Sequence, residues 1–220
     1  MIIKAERVDK GRVVALLCLS FSENLSVGYL VGTGKGRRLR LRRLMAYAFE
    51  VCFRFGEVWL SEGKQGCALV LYPHLKGFSL RVFWMDLNLV FGVVGLLRLS
   101  QVLRREKLLA ARHRDNPFYY LWFIGVNPWV QRQGIGTLML REFIADAELA
   151  GMPVYLETSV VSNLVWYEKF GFRVYDELDF GYRLFFLKKV LAGSAIMFYF
   201  LLRMTTISCL CMYLILKCTY

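Results

Sequence analysis

Two histidines, His74 and His113, are all the chain has, too few for a histidine-rich metal centre. Its six cysteines (Cys18, Cys52, Cys67, Cys209, Cys211, Cys218) form no C-x-x-C pair and no zinc-ligand spacing. Scattered through apolar runs, they read as small core residues of a reducing compartment. No metal is expected. Acidic residues are also scarce, 17 against 29 lysines and arginines, which leaves a formal charge of +12. Such an excess attracts acidic lipid or nucleic acid. The basic stretch itself, Lys35 to Arg43, has no interleaved aromatic residues, so lipid ranks above RNA and a nucleic-acid partner is not expected. The plain reading of Arg37, Arg38, Arg40, Arg42 and Arg43 is a solvated helix face, on a helix running to about Phe55.

What is abundant is apolar surface. The content is 57% hydrophobic and the mean hydropathy +0.42, high for a soluble domain, so a membrane-seeking segment is expected somewhere in the 220 residues. Val13 to Phe21 follows Lys10 and Arg12 and mimics a short signal peptide. Asp9 can cap a helix there, and Glu23 and Asn24 stand where a small-residue cleavage site would be, so a helix over 9–22 fits better. The stronger candidate is residues 190–216, mostly apolar and long enough to cross a bilayer. Arg203 interrupts that run, at roughly 2.5–3.5 kcal/mol for a guanidinium at mid-bilayer. Lys188 and Lys189 before it favour a cytoplasmic domain held at the inner face of the membrane. The alternative is a tail folded back on the domain. The expected organisation is one domain over 1–189 and a hydrophobic tail over 190–220.

Glu57 to Ser61 and Cys67 to Tyr72 read as a hairpin turning at Glu62 to Gly66. Residues 82–110 form an insertion: an apolar helix from Val82, broken by Asp86, Asn88 and two glycines, then an amphipathic helix from Leu99 to Arg112. Trp84 and Asp86 are candidates for an acceptor pocket, or for a core tryptophan and a capping aspartate. Strands follow at 119–126, 153–157, 172–175 and 182–187, with helices at 136–150 and 163–170 between them. That order indicates an α/β fold with a mixed, mostly antiparallel central sheet flanked by helices.

The most informative segment is 126–140, Val-Asn-Pro-Trp-Val-Gln-Arg-Gln-Gly-Ile-Gly-Thr-Leu-Met-Leu. An apolar strand enters a polar turn, and Gly134 and Gly136 stand where the next helix begins. The first N–H groups of a helix are unpaired and lie at the positive end of its dipole, so they attract an anion. Glycine lets a phosphate approach main-chain amides and permits positive φ. A phosphate-bearing ligand is therefore expected beside residues 131–137, although a Gly-x-Gly here can also be only a tight turn. The spacing Gln131-x-x-Gly134-x-Gly136 matches neither the P-loop nor the dinucleotide fingerprint.

This segment resembles the cofactor motif of the GCN5-related N-acetyltransferase (GNAT) superfamily, Gln/Arg-x-x-Gly-x-Gly/Ala after a strand. A second block agrees: the strand Pro153 to Glu157, then Asn163, Tyr167 and Phe170-Gly171-Phe172 in order. The resemblance implies acetyl-CoA as cosubstrate, with the diphosphate held by Gln131, Arg132, Gln133, Gly134, Ile135, Gly136 and Thr137. It implies main-chain contacts to the pantetheine arm from Ile124, Gly125 and Val126, where two strands splay, and a further contact from Asn163. Gly125 amid bulky residues is consistent with a bulge or a close backbone approach. The implied reaction is direct attack of an amine on the thioester, with Tyr167 as the acid that protonates the leaving sulfur; read without the family, Tyr167 is a packing residue. The base is open between Glu157 and water. The amine acceptor, small molecule or protein, has no signature. A non-catalytic acyl-CoA-binding module and a basic membrane or nucleic-acid adaptor are the alternatives.

Overall fold

The computed structural model describes residues 2–77, 80–113, 115 and 117–189. The tail expected over 190–220 lies outside the described residues. A short strand β1 (Ile2–Lys4) precedes three helices, α1 (Lys10–Ser20), α2 (Leu25–Val31) and α3 (Arg37–Phe55). The hairpin follows as β2 (Gly56–Ser61) and β3 (Gly66–Leu71), then the insertion as α4 (Leu80–Leu89) and α5 (Leu96–Ala110). The last part is β4 (Tyr119–Val126), α6 (Ile135–Leu149), β5 (Val154–Thr158), α7 (Ser162–Glu168), β6 (Arg173–Asp179) and β7 (Arg183–Lys189).

The strands make one seven-stranded sheet in the order β1-β2-β3-β4-β5-β7-β6. Every neighbouring pair is antiparallel except β4 and β5. The expected mixed α/β architecture is therefore present. Helices α1 and α3 bury Leu17, Met45, Phe49 and Cys52 against one face. Helix α6 buries Met139, Leu140 and Phe143 against the other, with Leu156 of β5 and Leu187 of β7. Cys52 and Cys67 are fully buried free thiols, as small core residues should be.

Two short elements are not evident from the sequence. β1 is only three residues long, a typical weak edge. Helix α2 has the cue it needed, because Asn24 Oδ1 accepts from Val27 N at 3.0 Å. The arginines at the start of α3 do more than face solvent. Arg40 donates to the carbonyls of Val31, at the end of α2, and of Thr33 and Lys35 beyond it, Arg37 donates to the carbonyl of Ser22, and Arg43 reaches Gly92 O at 3.1 Å. Much of the basic stretch thus ties loops to the helix.

Among the described residues no single helix is long and apolar enough to cross a membrane. The pair Arg7–Ser20 and Leu25–Val31 passes by length and composition but bends by 111°. Its apolar side chains Val13, Leu17, Val27 and Val31 belong to the core. Lys188 pairs with Asp115 at 2.5 Å and Lys189 donates to Phe170 O at 2.9 Å, so both lysines have structural partners within the domain.

Asp9 caps the chain entry reciprocally with Glu6 rather than capping α1 itself, accepting from Glu6 N at 3.1 Å. Its other oxygen accepts from Lys64 Nζ at 2.8 Å. The Lys64 bond, then the Glu6 amide, hold this carboxyl below its ordinary value of 3.8. A depressed folded value means that the stabilisation is complete above 3.8 and is lost as pH falls below it. Asp9→Asn should therefore lower stability at pH 7 by about 1 kcal/mol. Urea titrations at falling pH should show the gap closing below about pH 4.

Candidate active site

β4 ends at Val126, and Asn127 pins the following turn to the hairpin: its Nδ2 donates to Gln65 Oε1 at 2.7 Å and its N to Gln65 O at 2.8 Å. Gln131 Nε2 reaches back to Val126 O at 3.3 Å. The chain then passes through two left-handed residues, Arg132 (φ 63°) and Gly134 (φ 82°), before α6 begins. At Gly134 a side chain would meet no neighbour within 4 Å, so φ alone requires glycine. A left-handed arginine costs about 1–2 kcal/mol, strain of the kind held at working sites.

The first helical bond runs from Leu138 N to Gly134 O at 2.8 Å. No side chain caps the helix, and the amides of Gly134, Ile135, Gly136 and Thr137 have no partner among the described residues. This mouth presents unpaired N–H donors at the positive end of a 15-residue helix. Gly136 lies over Val126 and Trp166, which a Cβ would meet at 3.5 and 3.7 Å, ordinary contact distances.

β4 and β5 pair only at Tyr119 with Val154 and Tyr120 with Tyr155. Beyond that point β4 pairs with β3 alone and β5 with β7 alone, so their facing main-chain edges separate. The ladder between β3 and β4 skips Trp122, since Val70 pairs with Leu121 and Leu69 with Phe123. The bulge is at Trp122. Gly125 answers to the other reading, close approach: a Cβ there would meet Ser20 Oγ at 3.0 Å and Leu17 at 3.4 Å.

A cavity of about 980 Å³ runs from the mouth of α6 through this gap and on beneath α2, α4 and α5. It is in the size range of sites for small ligands and cofactors. Ile124, Val126, Gln131, Arg132, Gly134, Ile135, Gly136, Thr137, Asn163, Tyr167 and Glu157 all line it. Gly125 and Gln133 do not. Asp86 lines it too, whereas Trp84 does not and is 63% exposed.

Tyr167 is buried, with its ring against Trp166 (4.8 Å) and Phe172 (5.6 Å). Its hydroxyl has no hydrogen-bond partner among the described residues, and burial drives its pKa upward. The phenol therefore stays protonated through the working pH range. Trp166 is fixed by a bond from its Nε1 to Thr137 Oγ1 at 3.2 Å, which joins α7 to α6. On the same cavity, Ser159 is 8% exposed and its Oγ has no partner among the described residues. A buried orphan hydroxyl costs roughly 1–3 kcal/mol unless a ligand or water meets it.

Glu157 lies on the face opposite Leu156, with Tyr155. One oxygen accepts from Tyr120 Oη and the other lies 2.8 Å from His113 Nε2. Burial first, then the Glu157 charge, raise the Tyr120 pKa well above 10. The carboxylate is thus held in a three-residue relay open to the cavity. Tyr120, Trp122, Ser159 and Trp166 also line the cavity, and the sequence alone does not single them out. Tyr120 and Trp122 lie in the motif strand, but their spacing carries no signal beyond strand alternation.

Comparisons with known proteins agree with this geometry. Residues 82–174 match the acetyltransferase (GNAT) domain family. An uncharacterised N-acetyltransferase of Schizosaccharomyces pombe is 32% identical over 76 residues, 34% of this chain and 30% of that relative, so the match spans under a third of the relative's length. A crystal structure described as a histone acetyltransferase and related acetyltransferase, from Corynebacterium glutamicum, superposes with a TM-score of 0.66 at 18% identity, covering 87% of this chain and 96% of that one. Arylalkylamine N-acetyltransferase 2 of Aedes aegypti gives 0.59 at 14% identity, covering 87% and 98%. Identities this low show the fold.

Proposed function

We propose that this chain, whose residues 82–174 match the acetyltransferase (GNAT) domain family, transfers an acetyl group from acetyl-CoA to an amine, small molecule or protein. The observation that carries this reading is the uncapped mouth of α6 opening beside the unpaired edge of β4. The amides of Gly134 to Thr137 hold the diphosphate, with Arg132 beside them. The free edge of β4 at Ile124 and Val126 pairs with the pantetheine arm, and the Asn163 amide and Ser159 hydroxyl bond to it. The thioester supplies an activated acyl group that a neutral amine can attack without a covalent enzyme species.

Most of the acceleration is then positioning in a water-poor gap, with proton transfers at either end. Tyr167 donates its phenolic proton to the departing sulfur. Glu157 receives the amine proton, directly or through Tyr120, and His113 steadies the carboxylate. Each group suits its role, since a phenol that stays protonated donates and a carboxylate accepts.

The test is release of free thiol from acetyl-CoA against a panel of amines. Release that depends on the amine supports the reading. Coenzyme binding without release for any amine would make the chain a non-catalytic acyl-CoA-binding module. Ser159→Ala should raise the KM for acetyl-CoA about three- to tenfold, the value of one hydrogen bond, with little change in kcat. An unaltered KM would remove Ser159 from the site. We also propose residues 190–216 as a membrane-seeking tail that keeps the domain at the cytoplasmic face. The full chain should float with lipid vesicles and a chain ending at Lys189 should not; equal behaviour would dismiss the anchor.

A further inference from the structure

The cavity extends well past the strand gap, and that far arm has a chemistry of its own. Its wall is a run of aromatic rings. Tyr120 stacks on Trp122 at 6.4 Å between ring centres, and Trp122 meets Tyr47 edge-on at 6.2 Å. Each end of this wall carries a carboxylate. Glu157 is bonded to Tyr120, and at the other end Tyr47 Oη donates to Asp86 Oδ1 at 2.6 Å. Tyr47, Asp86, Tyr120, Trp122 and Glu157 all face the cavity, and so does the orphan Ser159 hydroxyl. The remaining surface of this arm, from α2, α4 and α5, is largely apolar, including Val27, Leu30, Leu89 and Val102.

The two carboxylates differ in one respect. Glu157 has His113 beside it. Asp86 has only the neutral Tyr47 hydroxyl and no ion pair among the described residues. The other charged groups on the cavity do not compensate it. Arg105 is buried and bonded to Glu106 (2.5 Å), Ser26 (2.8 Å) and Tyr182 (3.3 Å). Arg132 lies in the turn before α6 and Lys76 is exposed. A half-buried carboxylate among apolar walls calls for a cation, and flanking aromatic faces favour one further.

That cation cannot be the nitrogen that reacts. A carboxylate within a few ångströms stabilises the ammonium form of an amine and so removes its nucleophilicity. The rings of Tyr47, Trp122 and Tyr120 also stand between Asp86 and the Glu157 relay. We propose that the acceptor is a small diamine: one nitrogen stays protonated on Asp86 while the other, neutral, attacks the thioester beside Glu157. This rests on the acetyl-transfer reading above. In the step, the second nitrogen forms an N–C bond to the acetyl carbon and the C–S bond breaks. The nitrogen's proton passes to Glu157, and Tyr167 gives one to the sulfur. The first nitrogen keeps its charge throughout.

The experiment compares straight-chain α,ω-diamines with monoamines of equal carbon number, in wild type and in Asp86→Asn. Asparagine keeps an oxygen for the Tyr47 bond, so the fold has little reason to change. Thiol release gives kcat/KM. Calorimetry of diamine added to protein saturated with coenzyme A gives binding without turnover. We expect the best diamine to exceed its monoamine at least tenfold. Asp86→Asn should lower the diamine value about tenfold and the monoamine value less than twofold. Tyr47→Phe, which leaves the charge in place, should keep most of the preference. Monoamines performing as well as diamines, or both falling equally in Asp86→Asn, would overturn the proposal while acetyl transfer stands. Asp86-dependent diamine binding without thiol release would uphold this site and refute the transfer reading. Absence of both binding and turnover with diamines would overturn the proposal as well.

Discussion

Tyr167→Phe is expected to lower kcat about a hundredfold, the low end for a general acid, while acetyl-CoA affinity changes less than twofold. The separation follows from what the hydroxyl touches. It has no partner among the described residues, so removing it breaks no internal bond there. The ring contacts with Trp166 and Phe172 remain in the phenylalanine variant. Thermal stability should therefore hold, because neither a hydrogen bond nor a ring contact is lost. A residue that only packs would keep its activity in this variant, because the ring contacts that define such a role survive in phenylalanine. Since burial raises the Tyr167 pKa, its ionisation should set no alkaline limit on kcat below about pH 10. A limb in that range must come from another group. Rates measured with chemistry rate-limiting and unchanged in Tyr167→Phe would remove the tyrosine from the mechanism.

Gly136→Asp should abolish coenzyme binding without harming the fold. The backbone at Gly136 is ordinary helix, and a Cβ there meets Val126 and Trp166 no closer than 3.5 Å. A carboxylate in the first turn interacts favourably with the helix dipole, by about 0.3–1 kcal/mol. Stability should then be equal or higher. The same carboxylate occupies the place assigned to the diphosphate, replacing attraction by repulsion and covering amides that would otherwise make charge-assisted bonds. Losing two such bonds, at roughly 1.5–3 kcal/mol each, weakens binding a hundredfold or more. Gly134→Ala makes a different prediction. There φ is 82°, so the substitution strains the backbone and should lower stability by about 1 kcal/mol or more. A stable Gly136→Asp variant that still binds acetyl-CoA normally would mean that this loop is only a turn.

The half of the proposed site that can be read from the sequence is the half built from local chain. Strand, turn and helix from 119 to 149 are contiguous, and the glycines mark the backbone geometry directly. Asn163 and Tyr167 belong to one short helix and could be placed with it. The proposed acceptor half is assembled across long separations. Tyr47 of α3 meets Asp86 of α4, and His113 reaches Glu157 across 44 residues. No local spacing encodes such a meeting. Asp86 looked equally like a helix cap, and Tyr120 and Trp122 like core residues of an apolar strand. Glycine at 125 signals either a bulge or a close approach, and the bulge falls on Trp122, where the β3–β4 register shifts. Glycine at 125 serves the close packing of Ser20 and Leu17 from α1 instead.

The most direct test of the diphosphate site is isothermal titration of the protein with coenzyme A beside pantetheine, which lacks the diphosphate. Saturable heat is expected for coenzyme A, with pantetheine at least a hundredfold weaker because the amides of Gly134 to Thr137 then have nothing to hold. Equal affinity for the two ligands, or no heat with coenzyme A, would contradict it.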